Sequence, residues 1–185
     1  MQLSFPGLAP PRDVIEQNHY TQRWPAGKSI SYLYEDAVVV IGIPANYNVA
    51  RWLGCRVWEL TRLWAPDGHR PNLLTQAISS AVSQFKRRDL ADALISYADP
   101  NMGHSGGVYR AASWVYLGQS EEGRAYRNPT GIVIARRAFH SGSDHINKAE
   151  IEARGFTQLR LPGKHRFARA LNKIGRAAVA GRVSR

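Results

Sequence analysis

Leu94-Ile-Ser-Tyr-Ala-Asp-Pro-Asn-Met-Gly-His-Ser-Gly-Gly-Val-Tyr-Arg-Ala-Ala-Ser-Trp-Val-Tyr-Leu-Gly118 reads as a strand, a polar turn, a short helix and a second strand. Leu94 to Tyr97 is apolar and β-prone. Asp99-Pro100-Asn101 ends it, because proline cannot continue a ladder and Asp and Asn favour turns. Gly103, Gly106 and Gly107 let the backbone run close to a neighbour. Val108 to Trp114 suits a short helix and Trp114 to Leu117 a strand. Asp99, His104, Ser105 and Tyr109 therefore fall where a strand's carboxyl end meets a helix start, the place where open α/β sheets bind ligands.

Upstream, the pattern predicts a β-α-β unit. Arg56 to Trp64 alternates as a strand and Pro66-Asp67-Gly68 breaks it. The helix over Leu73 to Arg87 keeps Leu73, Leu74, Ala77, Ile78, Ala81, Val82 and Phe85 at helical spacing, with Asn72 as its N-cap. Leu90 to Tyr97 returns as the next strand. Gly68, His69, Arg70 and Asn72 at that helix start form a candidate anion site, since free N–H groups and the helix dipole favour phosphate. Further upstream, Ser29 to Tyr34 and Ala37 to Ile43 read as strands joined by a Glu35-Asp36 hairpin turn. Pro44 to Leu53 reads as a loop, Arg12 to Asn18 as a helix, and His19-Tyr20 followed by Arg23 as a substrate or metal loop. Downstream, Gly131 to Ala135 is a strand, His140 to Asp144 a polar connection, Asn147 to Arg154 a helix and Phe156 to Leu161 a strand.

The 185 residues suffice for a buried core, and 44% apolar content argues against disorder. Twenty-five Lys and Arg against 14 Asp and Glu give +11, which points to a polyanion, nucleic acid first and a membrane surface second. Nine of the basic residues lie from Arg154 on, with no acid among them. Residues 161–185 are accordingly expected as a basic C-terminal segment, helical through residue 180, following a domain over 1–160. Lys164, Arg166, Arg169 and Lys173, with Arg23, are the expected phosphate contacts. The lone Cys55 excludes an internal disulfide and reads as a small buried hydrophobe rather than a nucleophile. Met1 to Pro11 lacks the pattern of a secretory signal, and no apolar stretch is long enough to span a bilayer.

The order strand, loop, helix, strand, tyrosine-bearing helix, strand resembles the GNAT acetyltransferase fold. The implied class is α+β, a mainly antiparallel central sheet flanked by helices. On that resemblance Glu59 to Trp64 is the acetyl-CoA strand, the loop at 68–72 holds the donor's pyrophosphate, and Tyr109 protonates the leaving thiolate. The loop has one glycine where the usual pattern has more. A closer resemblance is to the Mom family of phage DNA-modification proteins, an offshoot of that fold. It rests on Tyr-Ala-Asp-Pro at 97–100, Gly-His-x-Gly at 103–106, Val-Tyr-Arg-Ala at 108–111 and Trp-x-Tyr-Leu-Gly at 114–118. Glu-Leu-x-Arg-Leu-Trp at 59–64, His19-Tyr20 and Leu-Pro-Gly-Lys-His-Arg-Phe at 161–167 extend it. It implies an enzyme that converts the exocyclic amine of adenine in double-stranded DNA to a methylcarbamoyl (acetamido) form, protecting DNA from restriction in the host-cell cytoplasm. The family implicates residues matching His19, Tyr20, Asp99 and Tyr109, with iron proposed.

The chemistry constrains that implication. Adenine's amine is a poor nucleophile, and acyl transfer would give an N-acetyl amide, whereas the methylcarbamoyl product joins nitrogen to a methylene carbon. Iron held by His19, Tyr20, Asp99 and Tyr109 is one route, with His104 either completing the set or capping the turn. Without metal, Tyr109 is the general acid, Asp99 an orienting carboxylate or base, and Ser105 a donor to an acyl carbonyl. Each also has a plain structural role: Asp99 forms a turn, Tyr109 packs on the sheet. The target adenine must leave the stack, with Trp24, Trp64 and Trp114 as stacking candidates. Two other readings stand beside this one, a GNAT acyltransferase acting on a small amine or protein and a non-catalytic DNA-binding protein.

Overall fold

The computed structural model describes residues 10–135, 139 and 146–183; the connection expected at 140–144 and the start before residue 10 lie outside them. Two compact units result. One takes in the described residues up to Tyr97, Gly106–Gly118 and those from Arg166 on; the other takes in Ala98–Ser105 and Gln119–His165.

With strands numbered in chain order, a six-stranded sheet runs β1 (Ser29–Tyr34), β2 (Ala37–Gly42), β3 (Val57–Trp64), β4 (Ala93–Ala98), β9 (His165–Ala170), β5 (Val115–Gln119). The β1–β2 hairpin is antiparallel, Tyr34 faces Ala37, and Glu35 takes φ 49° in the two-residue turn, as a tight hairpin requires. β2 and β3 are antiparallel with a register break between Val40 and Ile41. β3 and β4 are parallel, Val57 facing Ala93 and Glu59 facing Ile95. The crossover between them is α3 (Leu73–Lys86), so the expected β-α-β unit is present.

β2 is buried along its whole length, which is why its sequence is a continuous β-branched run. Val38 and Val40 pack with Val14 and Ile15 of α1 (Pro11–Asn18) and with Trp24, Leu33 and Trp64. Trp58 of β3 meets Phe85 of α3 at 5.2 Å between ring centroids. A second cluster joins Val57, Ala93, Ile95, Leu117 and Ala168 of the sheet to two helices, α2 (Asn48–Leu53) and α6 (Lys173–Val183). α2 corrects the loop expected over Pro44 to Leu53: Val49 and Leu53 sit four apart and both face this core. Cys55 packs beside it, and burial, helped by the charge of Asp92, pushes its thiol up to about 11. It is partly buried at the edge of that core.

The basic segment also departs from expectation. Residues 165–170 are not helix but β9, a strand between β4 and β5. Phe167 and Ala168 are both fully buried, so the segment is covered on two faces. Phe167, Leu171 and Ile174 have helical spacing, but sheet pairing overrides it, and the helix starts only at Lys173.

The second unit is built on β6 (Gly123–Arg127), paired antiparallel with both β7 (Val133–Ala135) and β8 (Thr157–Leu161). α5 (Lys148–Ala153) opens with a capping box: Asn147 accepts from the Glu150 N–H, and Glu150 accepts from the Asn147 N–H. Among the described residues of this unit Ala98, Ala125, Tyr126 and Ile151 are buried hydrophobics. The α+β class, with a mainly antiparallel central sheet flanked by helices, is what the structure has.

Candidate active site

β4 turns successive side chains to opposite faces. Ala93 and Ile95 enter the α2/α6 core; Leu94 and Ser96 point the other way. Ser96 is fully buried. Its Oγ lies 2.9 Å from the Leu60 carbonyl oxygen and 2.8 Å from the Tyr109 hydroxyl. Tyr109 rides on α4 (Gly107–Ala111), whose N-cap is Gly106 at φ 78°. A Cβ on Gly106 would stand 2.2 Å from the Phe167 ring, so this turn is glycine for conformation and for space. Phe167 and Trp114 flank the Tyr109 ring at 5.3 and 5.4 Å. Burial pushes the phenol up to about 12; the bond to Ser96 opposes this, and the charges of Tyr20 and Glu59 add to it. Tyr109 is a neutral phenol that carries its proton at working pH.

His19 ends α1, its N–H bonded to the Ile15 carbonyl. The imidazole is buried. Nδ1 accepts from the Thr21 N–H at 3.1 Å and lies 2.8 Å from the Thr21 hydroxyl. A neutral ring therefore carries its proton on Nε2. Tyr20, half-exposed, stacks on it at 4.3 Å.

Asp99, His104 and Ser105 belong to the second unit, whereas Tyr109, His19 and Tyr20 belong to the first. Asp99 caps a 3-10 turn over Pro100–Met102: its carboxylate accepts from the Asn101 N–H at 3.0 Å and from Asn101 Nδ2 at 2.9 Å. It also receives the Lys164 ammonium at 2.7 Å. Burial alone would raise its pKa, but the bonds from Lys164 and Asn101 outweigh it and hold the carboxyl below its ordinary value. Lys164 is placed by a close approach: its N–H and carbonyl both bond Ser120, and a Cβ on Gly163 would meet the Ser120 carbonyl at 1.9 Å. The turn-forming role of Asp99 and its charge pairing thus coexist. His104 and Ser105 are exposed, and no side chain caps α4, so His104 does not cap that helix.

In the expected donor loop, Gly68 takes φ 75° and Asn72 φ 64°. Asn72 holds the N-cap position of α3 without a side-chain cap bond. Arg70 is bound by both carboxylate oxygens of Glu35 and by Gln76. His69 Nδ1 lies 2.9 Å from the Arg70 carbonyl. An anion at this helix start competes with Glu35 for the guanidinium.

Of the residues expected to hold iron, His19 Nδ1 is engaged by Thr21, the Asp99 carboxylate by Lys164 and Asn101, and the Tyr109 hydroxyl by Ser96. Among the described residues no group of three His, Cys, Asp or Glu is placed to hold an ion. The stacking candidates are placed as follows. Trp24 and Trp64 pack on the α1 core and Trp114 is buried beside Tyr109.

Of the expected phosphate contacts, Arg23 and Lys173 are exposed. Arg166 stacks over Trp52 at 4.2 Å, and Arg169 donates to the Ser113 carbonyl at 2.7 Å. Two residues of the site escaped the sequence reading. Ser96 sits in the quoted strand, and its signal was a hydroxyl in an otherwise apolar run. Glu59, a carboxylate in the central strand β3, accepts from the Ala45 N–H at 3.4 Å and raises both Tyr97 and Tyr109. An open cavity of about 360 Å³ in the second unit, lined by Glu121, Glu122, Gly123, Arg124 and Arg160, contains none of these groups.

The family model described as the Mom protein family matches residues 9–183. Methylcarbamoylase mom of Escherichia phage Mu is 27% identical over 185 aligned positions, covering 89% of this chain and 73% of that protein. A solved acetyltransferase of Bacillus subtilis in complex with CoA aligns with a TM-score of 0.43 and 12% identity, covering 86% of this chain and 84% of that one. With a family match from near one end of the sequence to the other, this chain belongs to the Mom protein family.

Proposed function

We propose that this protein modifies DNA, placing a methylcarbamoyl group on the exocyclic amine of adenine in double-stranded DNA and so shielding it from restriction. The observation that carries the reading is the family match over residues 9–183, together with a relative named methylcarbamoylase. The two-carbon unit is proposed to come from acetyl-CoA or a related thioester; joining its methyl carbon to the adenine nitrogen takes a two-electron oxidant, and its carbonyl exchanges the thiol, released free, for an amine nitrogen, so an oxidant and an amine donor are required as co-reactants. Gly68, His69, Arg70 and Asn72 would receive the thioester's phosphates, with Glu35 released from Arg70.

The chain's own residues have roles consistent with this. Tyr109 holds a proton at Oη in a buried, aromatic-lined position, suited to donation as charge develops on a leaving group or oxyanion. Asp99, ionised and fixed by Lys164 and Asn101, is the orienting carboxylate, and Ser105 a donor beside it in sequence. His19 fixes the ring of Tyr20, against which a flipped adenine would stack. Arg23, Lys164, Arg166, Arg169 and Lys173 would hold the phosphate backbone.

The test is protection. DNA recovered from cells expressing the protein should resist restriction enzymes whose sites contain adenine, and DNA from cells expressing Tyr109→Phe should be cut. Complete cutting of DNA from cells rich in folded wild-type protein would remove the reading.

A further inference from the structure

We propose that Ser96 is a positioning residue for Tyr109: its hydroxyl fixes the tyrosine proton in the resting site, then turns to stabilise the phenolate when that proton is given up. The inference rests on the proposed role of Tyr109 as a proton donor.

Hydrogen-bond accounting sets the resting direction. Ser96 Oγ has one proton and two close oxygen neighbours, Leu60 O at 2.9 Å and Tyr109 Oη at 2.8 Å. A carbonyl only accepts, whereas both hydroxyls donate and accept. The arrangement that satisfies all three groups is Tyr109 donating to Ser96 and Ser96 donating to Leu60. Ser96 is fully buried and Tyr109 is 7% exposed, so leaving any of these groups without a partner is costly. The Leu60 carbonyl lies at the register break opposite Ile41.

Donation by Tyr109 breaks its O–H bond and forms a bond from that hydrogen to the acceptor, leaving the electron pair on Oη. The phenolate would then sit among Phe167, Trp114 and the apolar side of β4, with the charges of Glu59 and Tyr20 disfavouring it. Rotation about the Ser96 Cβ–Oγ bond, with heavy atoms in place, turns its proton from Leu60 O to Oη. A neutral hydrogen bond is exchanged for a charge-assisted one, the stronger kind. Ser96 keeps its proton throughout, so no charge passes through it. Such a donor stabilises the product of proton transfer more than the resting state, the requirement for lowering a barrier.

The experiment combines a spectroscopic and a product readout in the full chain, on wild type, Ser96→Ala and Ser96→Cys. Ser96→Ala nearly keeps the volume and removes the hydroxyl, while Ser96→Cys keeps the branching in a somewhat larger side chain and replaces the strong donor by a weak one. With tyrosine labelled with carbon-13 at Cζ, the Tyr109 resonance, assigned by its loss in Tyr109→Phe, should shift in both Ser96 variants. Modified deoxyadenosine per unit of folded protein should fall about tenfold or more, the worth of one charge-assisted hydrogen bond. A Tyr109 resonance unmoved by Ser96→Cys overturns the inference, and so does wild-type product from folded Ser96→Cys whatever Ser96→Ala does. Failure of the functional reading has a different signature: wild-type protein that yields no modified deoxyadenosine while the resonance still shifts.

Discussion

At the scale of single residues, the proposed function assigns its chemistry to Tyr109 and Asp99, and both side chains are set by neighbours distant in sequence. In Tyr109→Phe the ring contacts with Phe167 and Trp114 remain, so the melting temperature should move little while modification falls about 100-fold or more. A comparable fall in both would assign Tyr109 to the core alone. Asp99 makes a pH prediction. Lys164 and Asn101 hold its carboxyl below the ordinary value against burial. In Lys164→Gln burial is less opposed and the carboxyl protonates at higher pH. The acid limb of the rate profile should move up in pH, since the ionised form is lost sooner as pH falls. An unmoved limb would separate Asp99 from the reaction. Asp99 and Tyr109 were legible because both stand at breaks in the pattern, a Pro-turn and a glycine-rich helix start. Ser96 was not: a serine in an apolar strand gains meaning only when Leu60 and Tyr109, 36 and 13 positions away, come beside it.

Helix and strand packing turns on one carboxylate. Asp92, 3% exposed, accepts from the N–H, Nε and Nη2 of Arg56 and from Asn172 Nδ2, tying the start of β3 to the start of β4 and to α6. The side-chain bonds from Arg56, then Asn172, hold it down to about 2 despite burial. Its contribution is complete above the ordinary carboxylate range and drains away as pH falls from about 4 towards 2. Asp92→Asn should cost about 2 kcal/mol in urea unfolding at neutral pH, and the gap to wild type should close through that window; a gap constant with pH would contradict this. Gly175 lies on the same joint. A Cβ there would stand 1.9 Å from the Asp92 carbonyl oxygen. Gly→Ala inside a helix is ordinarily stabilising, but here Gly175→Ala should cost about 1–3 kcal/mol by overpacking. The β-α-β unit and the hairpin were readable because periodicity and turn residues agree there. α2 and β9 were not, because six-residue elements carry too little periodicity to outweigh their flanks, and β9 is decided by pairing with strands elsewhere in the sequence.

Across the whole molecule, the +11 charge is the feature that composition announces and DNA binding would use. Replacing Arg166, Arg169 and Lys173 by Gln should weaken binding equally for all sequences and reduce the slope of log K against log salt by about 3. An unchanged slope would place the DNA elsewhere. Affinity, though, does not identify the reaction. The most direct measurement is mass spectrometry of nucleosides digested from the DNA of expressing cells, wild type beside Tyr109→Phe. The account predicts a deoxyadenosine heavier by an acetamido group, fragmenting as an N–CH2 linkage, present with wild type and depleted with the variant. Unmodified deoxyadenosine from folded wild-type protein, or a product that fragments as an N-acetyl amide, would contradict it.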